Sequence, residues 1–179
     1  MVDLRYDKLI KSFLGVQGAI FQKSPLVAEG IKSTVLGLLD VALDQFYLGR
    51  AGLLSALEKT PSPSAAQKQR DRLSRAMNLL DQAVEGLRKY GDQNYLVTAL
   101  IKRAAGFSLL EEYAKARDDL SEALDIAELG SMKLHLCDYH LEAGRLCRAQ
   151  DNDTEAAEHF QTAKKLIEET GYHRRDSEI

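Results

Sequence analysis

The chain has no tryptophan, three prolines and two cysteines in 179 residues. Two cysteines cannot frame a disulfide-stapled mini-protein. Cys137 and Cys147 stand ten residues apart, outside any CxxC spacing, so neither a structural zinc motif nor a redox motif is indicated. They fit the reduced, packed cysteines of a cytoplasmic protein. No stretch reaches the ~18 consecutive apolar residues of a membrane span. The start, Met1-Val2-Asp3-Leu4-Arg5, has no apolar signal-peptide core. Neither a membrane nor export is expected. An excess of basic charge is also missing: the net charge is −3, with Lys and Arg scattered among Asp and Glu, which weighs against nucleic acid as a partner. The β-branched runs and frequent turns of a β-sandwich are lacking too.

What the chain does have is leucine, 28 copies, and alanine, 21 copies. These residues lose least on entering a helix, so the expected class is all-α. The length suits one domain. Pro25 follows Ser24, a helix start with Ser as N-cap and Pro in the first position. Thr60-Pro61-Ser62-Pro63-Ser64 is a loop, and no proline interrupts an apolar helical pattern. The apolar spacing predicts a helix over 2–23, weakened by Gly15 and Gly18, and helical structure from Pro25 to Lys59 with a break near Gly30. Further helices are expected at 65–90, 94–110, 112–129, 132–150 and 153–170.

Internal periodicity is the strongest signal. Ala76, Leu80 and Ala83 are followed forty residues later by Ala116, Leu120 and Ala123, and after another forty by Ala156, Phe160 and Ala163. Leu87, Ala127 and Ile167 share that register. In the helices that precede the second and third sets, Leu100 aligns with His140, Ile101 with Leu141, Ala104 with Gly144 and Phe107 with Cys147. Gly91, Gly130 and Gly171 follow the three second helices and are each expected to close them in the left-handed conformation. The unit is a helical hairpin whose small–large–small stripe lies on one face. One hairpin cannot bury that face alone, so neighbouring hairpins stack into a curved ladder with a concave side.

These residues resemble the tetratricopeptide repeat, in a variant about forty residues long. The middle unit carries the likeness through Leu100, Ala104, Phe107, Tyr113, Ala116, Leu120 and Ala123, and the last through Gly144, Ala156, Phe160 and Ala163. The first unit supplies Ala76, Leu80 and Ala83, with its first helix around Tyr47, Ala51 and Leu54. The resemblance spans about residues 40–171. It leaves residues 1–39 as an N-terminal helical segment, serving as a cap or dimerisation element, and 172–179 as a tail. It implies a right-handed superhelical solenoid of α-α hairpins, about three repeats, that binds a peptide or partner protein in its concave groove. Scaffold or sensor duty in a larger bacterial signalling protein is the implied setting, with no catalysis and no cofactor. By register the groove should be lined by Thr98, Ile101, Lys102, Ala105 and Ser108 in the middle unit and by Asp138, Leu141, Arg145 and Arg148 in the last. Lys102, Arg145 and Arg148 could pair with carboxylates of an acidic peptide. Ala105 and Arg145 do not supply the asparagine used by the chaperone-binding subset of the family.

Two other readings compete. Residues 1–39 and an uncapped C-terminal edge formed by Leu166, Ile167 and Tyr172 would build a homo-oligomeric assembly, most simply a homodimer. A metal-dependent enzyme would rest on the run His135-Leu136-Cys137-Asp138-Tyr139-His140. On a helix His135 and His140 fall about 140° apart. The register places Cys137 and His140 in core columns, and Cys147 as well, so no metal site is expected. Adjacent acids such as Glu111-Glu112 and Asp118-Asp119 diverge by about 100° and make poor catalytic pairs. There is no GxSxG elbow, Walker loop or GxGxxG.

Overall fold

The computed structural model describes residues 25–57 and 63–178, and the described residues form helices and turns. The expected helix over 2–23 lies outside them. Six α-helices follow in order: α1 Pro25–Leu57, α2 Pro63–Tyr90, α3 Gln93–Leu109, α4 Tyr113–Leu129, α5 Lys133–Ala149 and α6 Asp153–Thr170, then a 3₁₀ helix, His173–Glu178. α1 begins at Pro25, as expected, whereas α2 begins at Pro63, inside the expected loop 60–64; a missing N–H costs nothing at either first position. α1 runs unbroken through Gly30 for 33 residues, because one glycine costs about 1 kcal/mol and does not by itself end a helix. None of the described helices is long and apolar enough to cross a membrane.

The helices pack as three successive pairs, α1 with α2, α3 with α4, and α5 with α6. α2 lies on α3 and α4 on α5, joining one pair to the next. α3 also packs along α5, whereas no comparable packing joins α2 to α4 or α4 to α6. The first helices of the later pairs therefore sit close together and the second helices splay. One surface link crosses that splay: Arg88 of α2 pairs with Glu122 of α4.

The forty-residue register sorts the core. Ala76, Leu80, Ala83, Ala116, Leu120, Ala123, Ala156 and Ala163 are all buried, as are Leu87, Ala127 and Ile167. Each fully buried leucine contributes about 1.5–3 kcal/mol of apolar transfer. The small members set the spacing. A Cβ on Gly144 would meet the Phe160 ring at 2.8 Å, and one on Gly86 would meet the Ala42 Cβ at 2.8 Å. In α1 the register of Tyr47, Ala51 and Leu54 points outward: Tyr47 is 52% exposed and Leu54 60%, while Phe46 and Leu53 go inside. The C-terminal edge differs from expectation as well. Ile167 is buried with Cys137, Leu141 and Ala163, and Leu166 and Tyr172 pack beside them. The 3₁₀ helix folds back there, with Arg175 bonded to Asp138 of α5 at 2.9 Å.

The turns share one construction. Glu111, Ser131 and Asp151 all have positive φ, 60°, 51° and 58°. Behind them Glu112, Met132 and Asn152 donate their N–H groups to the carbonyls of Phe107, Ala127 and Cys147 at 2.9, 2.8 and 3.0 Å. This is a six-to-one helix closure made without glycine. Gly91 and Gly171 use the simpler closure, at φ 86° and 70°. Gly130 does not take that role: its φ is −84°, in the right-handed region, and Ser131 makes the turn one residue later. The left-handed residues thus fall at 91, 111, 131, 151 and 171, twenty residues apart.

Candidate functional site

Two places gather chemically capable side chains. The first lies on the face shared by α1, α3 and α5. Lys102 stands there at mid-helix, half-buried, and among the described residues its ammonium makes no hydrogen bond or ion pair. Burial pushes its pKa below the usual lysine value; Glu142 and Asp138 pull it back, and Arg175 and Arg50 add to the fall. Glu142 is itself buried and holds Arg145 at 3.1 Å, while Asp138 holds Arg175 at 2.8 Å. Asp138, Glu142 and Arg145 follow spacings of four and three on α5, so they share one helical face.

This surface contains only part of the predicted lining. Ile101 is 2% exposed and Leu141 is 1% exposed, so both are core residues and unavailable to a partner. They sit beside the face by register, but their side chains fill the gap between helices. Thr98 is half-buried and donates its hydroxyl to the Asn94 carbonyl at 3.0 Å within its own helix. Ala105 and Ser108 are half-buried. Arg148 is exposed and stacks over the Phe160 ring at 4.7 Å, packing on α6. Sequence reasoning missed Arg50, Glu142 and Arg175, which share the field around Lys102; the spacing of Glu142 from Asp138 and Arg145 was the available signal.

The second place is a cleft of about 310 Å³ between α4 and α6, floored by α5 and lined in part by Arg117, Tyr139, Cys147, Glu155 and His159. The ligand atoms of Cys147, Glu155 and His159 lie within 4.8 Å of one another. His140 sits next to them, its Nδ1 2.9 Å from Nδ1 of His159. Tyr139 contacts both imidazoles edge-on, with centroids at 5.0 and 6.0 Å. Burial, with the neighbouring His159 second, lowers His140 to about 4, so its imidazole is neutral near pH 7. Burial raises the Cys147 thiol, and the adjacent Glu155 carboxylate raises it further. Asn152 donates to that carboxylate at 2.6 Å and caps α6 through Glu155 N–H at 3.4 Å.

The run around His135 divides accordingly. Cys137 is fully buried and directed at the Ala163 carbonyl, as a core residue should be. His140 is half-buried rather than core and faces His159 on the neighbouring helix. Cys147 is half-buried at the cleft wall. These residues converge from two helices, so a motif search along one helix does not find them.

No family model, curated protein or solved structure matches this chain.

Proposed function

We propose that the chain is a non-catalytic protein-binding module: a right-handed superhelical array of tetratricopeptide-like hairpins. The face of α1, α3 and α5 takes an acidic peptide or partner protein, in a scaffold or sensor role within a cytoplasmic signalling protein. Lys102 carries this reading. A half-buried ammonium that no side chain pairs directly, and that Glu142 and Asp138 compensate only in part, can still take a carboxylate of a bound peptide in a charge-assisted hydrogen bond. The close approach of α3 to α5, against the splay of α4 from α2 and α6, supports a concave side on the Lys102 face.

The test is an array of acidic peptides probed with the full chain. Lys102→Glu combined with Arg145→Glu should weaken capture at least about tenfold, equivalent to about 1.4 kcal/mol. Arg148→Glu, on the Phe160 side, should leave it unchanged. Equal loss from Arg148→Glu, or none from the double variant, would exclude this face as the site.

Assembly of copies through α1 is a second reading, favoured by Leu38, Val41 and Leu48, which are exposed on adjoining positions of that helix. Light scattering at high concentration decides it. A monomer that Leu48→Lys does not alter would remove this reading.

A further inference from the structure

We propose that Cys147, Glu155 and His159, with His140 beside them, form a binding site for a zinc-class divalent cation in the cleft between α4 and α6. Two observations converge. The donor set joins a thiol, a carboxylate and an imidazole, the ligand types that zinc accepts. Thiolate and imidazole together select a borderline-soft ion over magnesium or calcium. The donor atoms of the three are gathered within 4.8 Å. Ligands at about 2.0–2.3 Å from a tetrahedral zinc stand roughly 3.3–3.8 Å apart, so closure needs a shift of about 1 Å. Glu155 is the exposed member, and a shift of its side chain together with the Asn152 amide bonded to it would supply this.

The surroundings are also those of a built site. His140 holds His159 at 2.9 Å, and Asn152 holds Glu155 at 2.6 Å. Outer partners of this kind orient metal ligands and sustain their affinity. His140 and Cys147 are seven residues apart on α5, and Glu155 and His159 four apart on α6, so each pair occupies one face of its helix. The two faces meet across the turn at Asp151. On binding, the Cys147 thiol gives its proton to solvent, and the cation takes a place between sulfur, carboxylate and imidazole. With three protein ligands, a fourth position opens toward the cleft. This site does not depend on the peptide-binding face, and its loss would leave that reading intact.

The experiment uses the full chain, purified without a histidine tag and stripped with a chelator. Co²⁺ is the spectroscopic probe and Zn²⁺ the competitor. One equivalent of Co²⁺ should give a thiolate-to-cobalt charge-transfer band that Zn²⁺ abolishes, with a zinc Kd of about 1 µM or tighter. Cys147→Ser should eliminate the band, and Cys137→Ser should retain it. His159→Ala should weaken zinc by about 100-fold or more, and His140→Ala by about 10–100-fold, the usual cost of removing a group that orients a ligand. Far-ultraviolet circular dichroism checks that each variant keeps its helices. Absence of the band in the unaltered chain overturns the proposal whatever the variants do. Zinc binding that Cys147→Ser and His159→Ala leave unchanged overturns it equally.

Discussion

Arg103 grips Asp119 with both arms of its guanidinium, Nε to Oδ2 at 2.8 Å and Nη2 to Oδ1 at 2.7 Å, across the α3–α4 pair. Nη1 also reaches Asp81 on α2 at 3.1 Å, so one side chain ties three helices. Burial pushes the Asp119 carboxyl above the usual carboxylate range, and Arg103 pulls it back. Arg103→Ala leaves a buried carboxylate unpaired and should cost about 3 kcal/mol in urea unfolding. Arg103→Lys should lose much of the same stability, because an ammonium cannot span both oxygens. The paired change Arg103→Met with Asp119→Leu should recover most of it, since apolar groups need no partner.

The turn residues allow a gain. Glu111 and Ser131 occupy left-handed backbone that costs a side-chain-bearing residue about 1 kcal/mol or more. Glu111→Gly and Ser131→Gly should each stabilise the chain, by about 0.5–1 kcal/mol after the greater freedom of glycine in the unfolded chain is allowed for. Gly171→Ala should destabilise by a similar amount, since its φ is 70°. Chemical-denaturation midpoints measure all three, and a loss of stability for Glu111→Gly would contradict the assigned turn.

Gly144→Ala tests the close approach of α5 and α6. The methyl would stand 2.8–2.9 Å from Phe160 ring carbons, and Arg148 also stacks on that ring at 4.7 Å. Helix propensity gains about 1 kcal/mol from the change. Overpacking costs about 1–3 kcal/mol. The net should be a loss of roughly 1 kcal/mol. Adding Phe160→Leu to Gly144→Ala should cost less than Phe160→Leu alone predicts, a coupling readable in a double-mutant cycle.

Lys102 gives a pH signature. Its pKa in the fold lies below the ordinary 10.5, so the folded chain disfavours the charged form. Below the folded pKa that penalty is present in full; it fades as pH rises toward 10.5. Lys102→Met should therefore stabilise the free chain by about 1 kcal/mol near pH 7. The advantage over the unaltered chain should shrink as the solution becomes more alkaline. A gap that widens with pH would mean that the lysine is stabilised by its neighbours rather than strained by burial.

Much of this architecture was legible because helix ends carry local chemistry. Pro25 opens a helix, Gly91 and Gly171 close helices, and α3 to α6 end within a residue or so of the positions that apolar spacing suggests. Where closure depends on counting residues back to a carbonyl rather than on residue type, glycine misleads: Gly130 is bypassed and Ser131 turns. Gly30 misleads in the other direction, because the length of α1 outweighs one weak position. Ile101 and Leu141 fall on a surface by register, yet both are apolar and almost fully buried, so the interior claims them. Convergence between helices is the least readable quantity. His140 and His159 are nineteen residues apart, and only the angle at which α5 meets α6 brings their nitrogens to 2.9 Å.

The even interval between left-handed residues limits how such a chain can change length. From Gly91 to Gly171 every helix and its turn consume the same twenty residues, so each helix enters at the same rotational phase as the one two places before it. A single residue inserted within α4 would rotate everything after it by about 100° about that helix axis, turning buried alanines toward water. A duplicated block of forty, copied from 112–151 and placed after Asp151, would preserve every phase. The molecule can lengthen or shorten by whole hairpins, and by little else.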